Sequence, residues 1–198
     1  MPEAQIIKSE KVKRSDKKGP ERFGQYFKDI DPEKRPFSAT INKPLNEVYA
    51  LLSDTKNFPL FFENLEKIEE VKGEKSKWHF KNTFEQSTMA IAMKTALEKN
   101  GESIQWTSED GAGIKYDIAA QLFPATGGRG TVVHMLVSYE TKIGAVMGFF
   151  EKLFGVDADV LTKKNLQRFK AYCETGHVPT TEGQPSGRDE DQSETMKH

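Results

Sequence analysis

Apolar and polar residues alternate through the middle of this chain, and the spacing becomes helical near its end. Phe37, Ala39 and Ile41 alternate with Ser38 and Thr40 and predict a first strand, which Asn42-Lys43-Pro44 stops. Leu45, Val48, Tyr49 and Leu52 recur at helical spacing, with Pro44 at the first turn, where its missing N–H has no partner to lose. Asp54 opens a second short helical stretch, Thr55 to Asn64, carrying Phe58, Phe61 and Phe62. Six strands follow. Leu65 to Val71 alternates weakly, and Lys72-Gly73-Glu74-Lys75 turns the chain. Lys77 to Lys81 sets Trp78 and Phe80 on one face and His79 on the other, because successive strand side chains point to opposite sides. Ser87 to Leu97 sets Met89, Ile91 and Met93 on one face. Asn100-Gly101 signals a hairpin, after which Ile104 and Trp106 share a face. Asp110-Gly111-Ala112-Gly113 turns again into a long strand through Ile114, Tyr116, Ile118, Ala120 and Leu122. A glycine-rich connection over 124–130 leads to Val133, Met135, Val137 and Tyr139, with His134 on the other face.

The last apolar stretch, Ile143 to Gly176, has the 3.6-residue period of a helix. Val146, Phe150 and Leu153 predict a short helix over roughly 144–154. After Gly155, Ala158, Leu161, Leu166 and Phe169 predict a long one over roughly 158–175. Asp157 is placed to accept backbone N–H groups at its start, and Gly176 suits a left-handed cap at its end.

One strand, two short helices, six strands in hairpins and a long amphipathic helix make an antiparallel meander of about seven strands. A twisted sheet of that size curls, and the helix fills its concave side. The expected fold is therefore α+β: a helix-grip fold, a curved antiparallel sheet wrapped around a long C-terminal helix.

Composition divides the 198 residues into three parts. Apolar residues make up 36% and charged ones 30%, which suits a normal core diluted by polar tails. Residues 1–34 form a polar N-terminal segment, in which Phe23, Tyr26, Phe27 and Ile30 mark a short docking helix over 23–30. Residues 35–176 form the folded domain, and 177–198 read as a disordered acidic tail. The basic arm has two readings: a solvated tail, which its mixed charges favour, or a weak contact with RNA or anionic lipid. A net charge of −1 gives no global pull toward nucleic acid, and no basic row marks a DNA-reading helix. The absence of a long apolar run and of a secretory signal points to a cytoplasmic protein without a transmembrane segment.

Catalytic chemistry is thinly represented. Cys173 is the single cysteine, so no internal disulfide can form. The four histidines, His79, His134, His177 and His198, have no metal-ligand spacing, so neither a metal nor a cofactor is expected. Gly127-Gly128-Arg129-Gly130 lacks a following Lys-Ser/Thr and reads as a hairpin turn rather than a phosphate loop.

INKPLNEVYALLSDTKNFPLFFENLEKIEEV, Trp78, SIQWTS, PATGGRGTVVHMLVSYE, KLFG and NLQRFKAYCETG together resemble the SRPBCC or START-like superfamily. The resemblance is to its polyketide cyclase/dehydrase group, similar to coenzyme Q-binding START proteins, and covers roughly 35–176. It implies a deep apolar cavity between the sheet and the last helix, and it transfers no catalytic residue. By strand parity Trp78, Phe80, Met89, Ile91, Met93, Trp106, Tyr116, Ile118, Met135, Val137 and Tyr139 face that space, and Phe150, Leu161 and Phe169 face it from the helices. Tyr116, Tyr139, Glu85, Thr95 and Asn165 are the polar anchors such a pocket would use. The expected function is binding of an apolar small molecule (a lipid, quinone or polyketide-like compound) as a carrier or sensor. The rivals are a cyclase or dehydratase using Tyr116 or Tyr139 with Glu85, and an interaction module acting through the tails.

Overall fold

The computed structural model describes Phe27 and residues 35–71, 75–81, 88–99, 101–111, 114–141 and 157–179, the side chains of Leu97 and of 139–141 excepted. The expected helix over 144–154, residues 1–34 apart from Phe27, and residues 180–198 of the C-terminal tail lie outside these residues.

Seven strands form one antiparallel sheet: β1 (Phe37–Ile41), β2 (Leu65–Glu70), β3 (Lys75–Lys81), β4 (Thr88–Lys99), β5 (Ser103–Ser108), β6 (Ile114–Pro124) and β7 (Thr131–Thr141). Their spatial order is β1-β7-β6-β5-β4-β3-β2. From β2 onward each strand pairs with its sequence neighbour, as a meander requires, and β1 closes on β7. β1 and β2 therefore sit at opposite edges, and the chain between them must cross the sheet. α1 (Leu45–Ser53), a tight turn at Thr55–Asn57 and α2 (Phe58–Phe61) make that crossing. The C-terminal helix α3 (Ala158–Thr175) packs over β1 and β7 and against α2. This is the helix-grip arrangement.

The local signals explain the ends of these elements. Asp157 accepts from the Asp159 N–H at 2.8 Å. Gly176 takes φ 76°, and its N–H donates to the Tyr172 carbonyl at 2.8 Å. Asp54 caps the 55–57 turn by accepting from the Lys56 N–H. Other boundaries differ from the expected ones. β3 begins at Lys75, because the Val71 N–H reaches the Lys75 carbonyl at 2.9 Å and draws that residue into the ladder. β4 runs on to Lys99, across a bulge between Thr95 and Leu97. α2 stops at Phe61, short of the expected Asn64: Arg168 of α3 donates to the carbonyls of Phe61 and Leu60, satisfying a helix end from outside. Asn64 then takes φ 65°, and its carbonyl accepts from the Lys81 N–H.

The far end of α3 is tied to β1 through Glu174, whose Oε1 accepts from the Asn42 N–H at 2.8 Å and from Lys170 Nζ at 2.9 Å. The Asn42 N–H, and then Lys170, hold this carboxyl below its usual range. A folded pKa below the unfolded one gives stability that is present above the unfolded value and lost as pH falls through the folded value. Glu174→Gln should therefore cost about 1 kcal/mol at neutral pH. The gap between variant and parent should close as the pH of urea titrations is lowered from 7 to 3.

Candidate functional site

Strand register brings the inner residues into rows. Trp106, Ile118 and Val137 lie side by side on β5, β6 and β7. Trp78 lies beside Ile91, and Phe80 beside Met89. Phe37, Met135 and Ala120 form a third row. Trp78, Phe80, Ile91, Met93, Trp106, Tyr116, Ile118, Met135 and Val137 from the sheet join Leu161 and Phe169 from α3 in one buried cluster. Met89 is only half-buried and packs against that cluster. Tyr139 stands opposite Tyr116 in register, but its side chain, like Phe150, is outside the described residues.

Phe58, Phe61 and Phe62 also belong to this cluster, although strand parity did not place them in the interior. Phe58 is fully buried and stands edge-on to both tryptophans, 5.3 Å from Trp78 and 5.0 Å from Trp106 between ring centroids. Phe61 reaches Phe169 of α3 at 4.8 Å. Three phenylalanines within five residues were the available signal. Their direction follows from the crossing chain, which lays α2 over the β2–β5 end of the concave face.

Several of the polar groups inside are bonded to the backbone. Ser108 Oγ donates to the Ile114 carbonyl and accepts from the Tyr116 N–H, both at 2.9 Å. The hydroxyls of Thr131 and Thr162 donate to the carbonyls of Lys43 and Ala158. Asn165, a candidate ligand anchor, accepts through Oδ1 from the Glu63 N–H at 2.8 Å and holds the bend after α2. Tyr49 donates to Glu98 at 2.8 Å, and burial, then that carboxylate, pushes its phenol up to about 12. Burial raises the Tyr116 phenol further. Burial, then the neighbouring Glu174, pushes the Cys173 thiol up to about 12. Thr95 pairs with Trp106 and is half-buried, and Glu85 lies outside the described residues.

Among the described residues, two hollows border this interior. A cleft of about 720 Å³ lies between the α2–β2 bend and α3. The core residues Phe62 and Leu65 line it together with Glu63, Glu66, Lys81, Lys164 and Arg168. Lys164 is 2.7 Å from Glu63, so part of that charge is neutralised locally. A smaller cavity of about 210 Å³ reaches Trp106 and Thr95 from the side of Ser53 and Glu70.

The histidines of the sheet face the other way. His79 lies 3.2 Å from Glu69, and His134 packs edge-on to Phe123 at 5.2 Å. Burial lowers the His134 pKa and favours its neutral form. Among the described residues no three His, Cys, Asp or Glu side chains converge on a metal position, and no helix is long and apolar enough to cross a membrane. The 127–130 stretch is the β6–β7 connection, closed by the Ala125 N–H on the Gly130 carbonyl at 2.8 Å, with Arg129 turned back onto Thr126.

A curved sheet gripping one long helix around an apolar, aromatic-rich interior defines a START-like protein. The chain belongs to the family described as polyketide cyclase / dehydrase and lipid transport, whose model matches residues 41–169. A crystal structure from Deinococcus radiodurans is similar over 71% of this chain and 95% of its own, at 25% identity and a TM-score of 0.56. One from Thermus thermophilus is similar over 70% and 95%, at 17% identity and a TM-score of 0.54. The di-domain ARO/CYC protein StfQ of the steffimycin biosynthetic pathway shares the fold over 71% of this chain and 44% of its own, at 15% identity and a TM-score of 0.50. No curated protein matches the chain in sequence.

Proposed function

We propose that this protein binds an apolar small molecule, of lipid, quinone or polyketide-like character, between the sheet and α3, and that it carries or senses this molecule without transforming it. The observation that carries the second half is the state of the interior polar groups. A general acid or base must exchange a proton near the working pH. Among the described residues, the buried Tyr116 phenol and Cys173 thiol are both held protonated by burial, and the Ser108, Thr131 and Thr162 hydroxyls and the Asn165 amide oxygen are bonded to backbone groups. The binding half is supported by the family description and by the character of the wall. Met93 and Met135 are flexible and fully buried beside Trp106, Tyr116 and Phe169, and Met89 stands half-buried at the rim. Methionine adapts to apolar surfaces of varied shape. The cleft at Phe62 and Leu65 is the entrance in this reading.

Met93→Trp tests it. Filling ligand space should lower affinity for a short-chain quinone or a fluorescent fatty acid by about tenfold or more while changing stability by less than about 1 kcal/mol; overpacking a closed core costs about 1–3 kcal/mol. A destabilised variant of a parent that binds neither probe would overturn the proposal. Turnover of a co-purified ligand that Tyr116→Phe abolishes without weakening its binding would replace the carrier with an enzyme.

A further inference from the structure

The sheet face turned away from α3 is unevenly covered. Over β2, β3 and β4 it is open, with Lys67, Glu69, Lys77, Ala90 and Ala92 exposed. Over β5, β6 and β7 it is closed: Gln105 is 1% exposed, Asp117 2%, Ala119 0%, Gln121 5% and Leu136 2%. On β1 beyond them, Ser38 and Thr40 are exposed again. Gln105, Ala119 and Leu136 form a row in register, next to the Trp106–Ile118–Val137 row of the core and pointing oppositely by strand parity. Ala119 and Leu136 are buried yet stand outside the main core cluster, and so does Phe27, at 6% exposure.

The closed strip spans three strands, or two spacings of about 4.8 Å, and from Asp117 to Gln121 it runs about 13 Å. That is the footprint of one short helix, about 10 Å across and about 12 Å long for eight residues. The 23–30 segment has this length, and the spacing of Phe23, Tyr26, Phe27 and Ile30 would place them on one face of a helix. It precedes β1, the edge strand beside β7. From Phe27 to Phe37 the chain can span up to about 33 Å, whereas β5 lies three spacings, about 15 Å, from β1.

We propose that residues 23–30 dock on the outer face across β5, β6 and β7, with Phe27 set against Ala119 and Leu136. The strip also holds acceptors that suit donors from this segment and its flank. Asp117 accepts from Gln105 Nε2 at 3.4 Å and has a further partner, whereas Gln121 Oε1 has no hydrogen-bond partner among the described residues. Arg22, Tyr26 and Lys28 supply donors of the right kind. Docked there, the segment holds the basic arm of residues 1–22 on the face opposite α3. A macromolecule held by the arm and a small molecule held under α3 then occupy different sides of the protein.

Thiol labelling of the full-length chain tests this, since the native Cys173 is buried. Ser138→Cys, on the closed strip, should react at least about tenfold more slowly than Ser38→Cys, on the open edge of the same face. Adding Phe27→Asp, or removing residues 1–34, should bring the two rates within a few-fold. Phe27→Ala serves where the harsher changes unfold the chain. Protection of Ser138→Cys that survives the folded truncation, or that rises with protein concentration as a second copy would make it, overturns the proposal.

Discussion

Replacing Phe58 with alanine should destabilise the protein by about 3–5 kcal/mol, the cost of deleting a fully buried aromatic ring. Phe58 has no exposed surface. Its ring centroid lies 4.9 Å from that of Phe62, 5.0 Å from Trp106, and 5.3 Å from Trp78 and Phe61. Such pairs add about 0.5–1.5 kcal/mol each beyond area burial. The two tryptophans are on strands and the other two rings on the α2 bend, so the walls of the new cavity cannot collapse together freely. The loss should appear as a lower urea midpoint at unchanged slope. An apolar cavity of that kind stays dry and takes up small aromatic molecules. Indole or benzene should therefore raise the melting temperature of Phe58→Ala and leave the parent unmoved. A cost below about 1 kcal/mol would mean that the site repacks and that Phe58 does not hold the sheet end together.

Gly130→Ala should cost about as much by a different route, at least about 4 kcal/mol, through backbone strain added to overlap. Gly130 has φ 95°, and an added Cβ would stand 2.1 Å from the Ile41 carbonyl oxygen and 2.8 Å from the Lys43 nitrogen. Those atoms are backbone at the end of β1, where Ile41 pairs with Thr131 and the Thr131 hydroxyl donates to the Lys43 carbonyl. Relief would have to separate β1 from β7, the seam on which α3 packs. Gly127→Ala is the control: φ is 69°, with nothing within 4 Å of the new Cβ. It should cost only the left-handed penalty, about 1–2 kcal/mol. Thermal melts of the two variants beside the parent give the comparison; equal effects would show that the contact with β1 is not what makes glycine necessary at 130.

Much of the fold is written as local pattern. Period-two alternation places Trp78, Met93, Trp106, Ile118 and Met135 on one side of the sheet, and the register confirms their rows. Asp157 and Gly176 delimit α3 because a capping side chain and a left-handed glycine act within a few residues. These signals are short-range, so the sequence carries them unaided. It also set the character of the interior, apolar and aromatic.

The tertiary structure decided what depends on partners distant in sequence. α2 ends at Phe61 because Arg168, more than a hundred residues later, satisfies its last carbonyls, and the bend after it is held by Asn165, a contact that no local pattern announces. The Thr95–Leu97 bulge shifts parity within β4, so that Glu98 pairs with Ile104 and meets the Tyr49 hydroxyl. Phe58 enters the concave face because β1 and β2 lie at opposite edges, which makes the chain between them cross it. Alternation gives each residue a side of its own strand. Only the assembled sheet decides which element lies over that side, how much space is left between them, and which polar atoms remain free to meet a ligand.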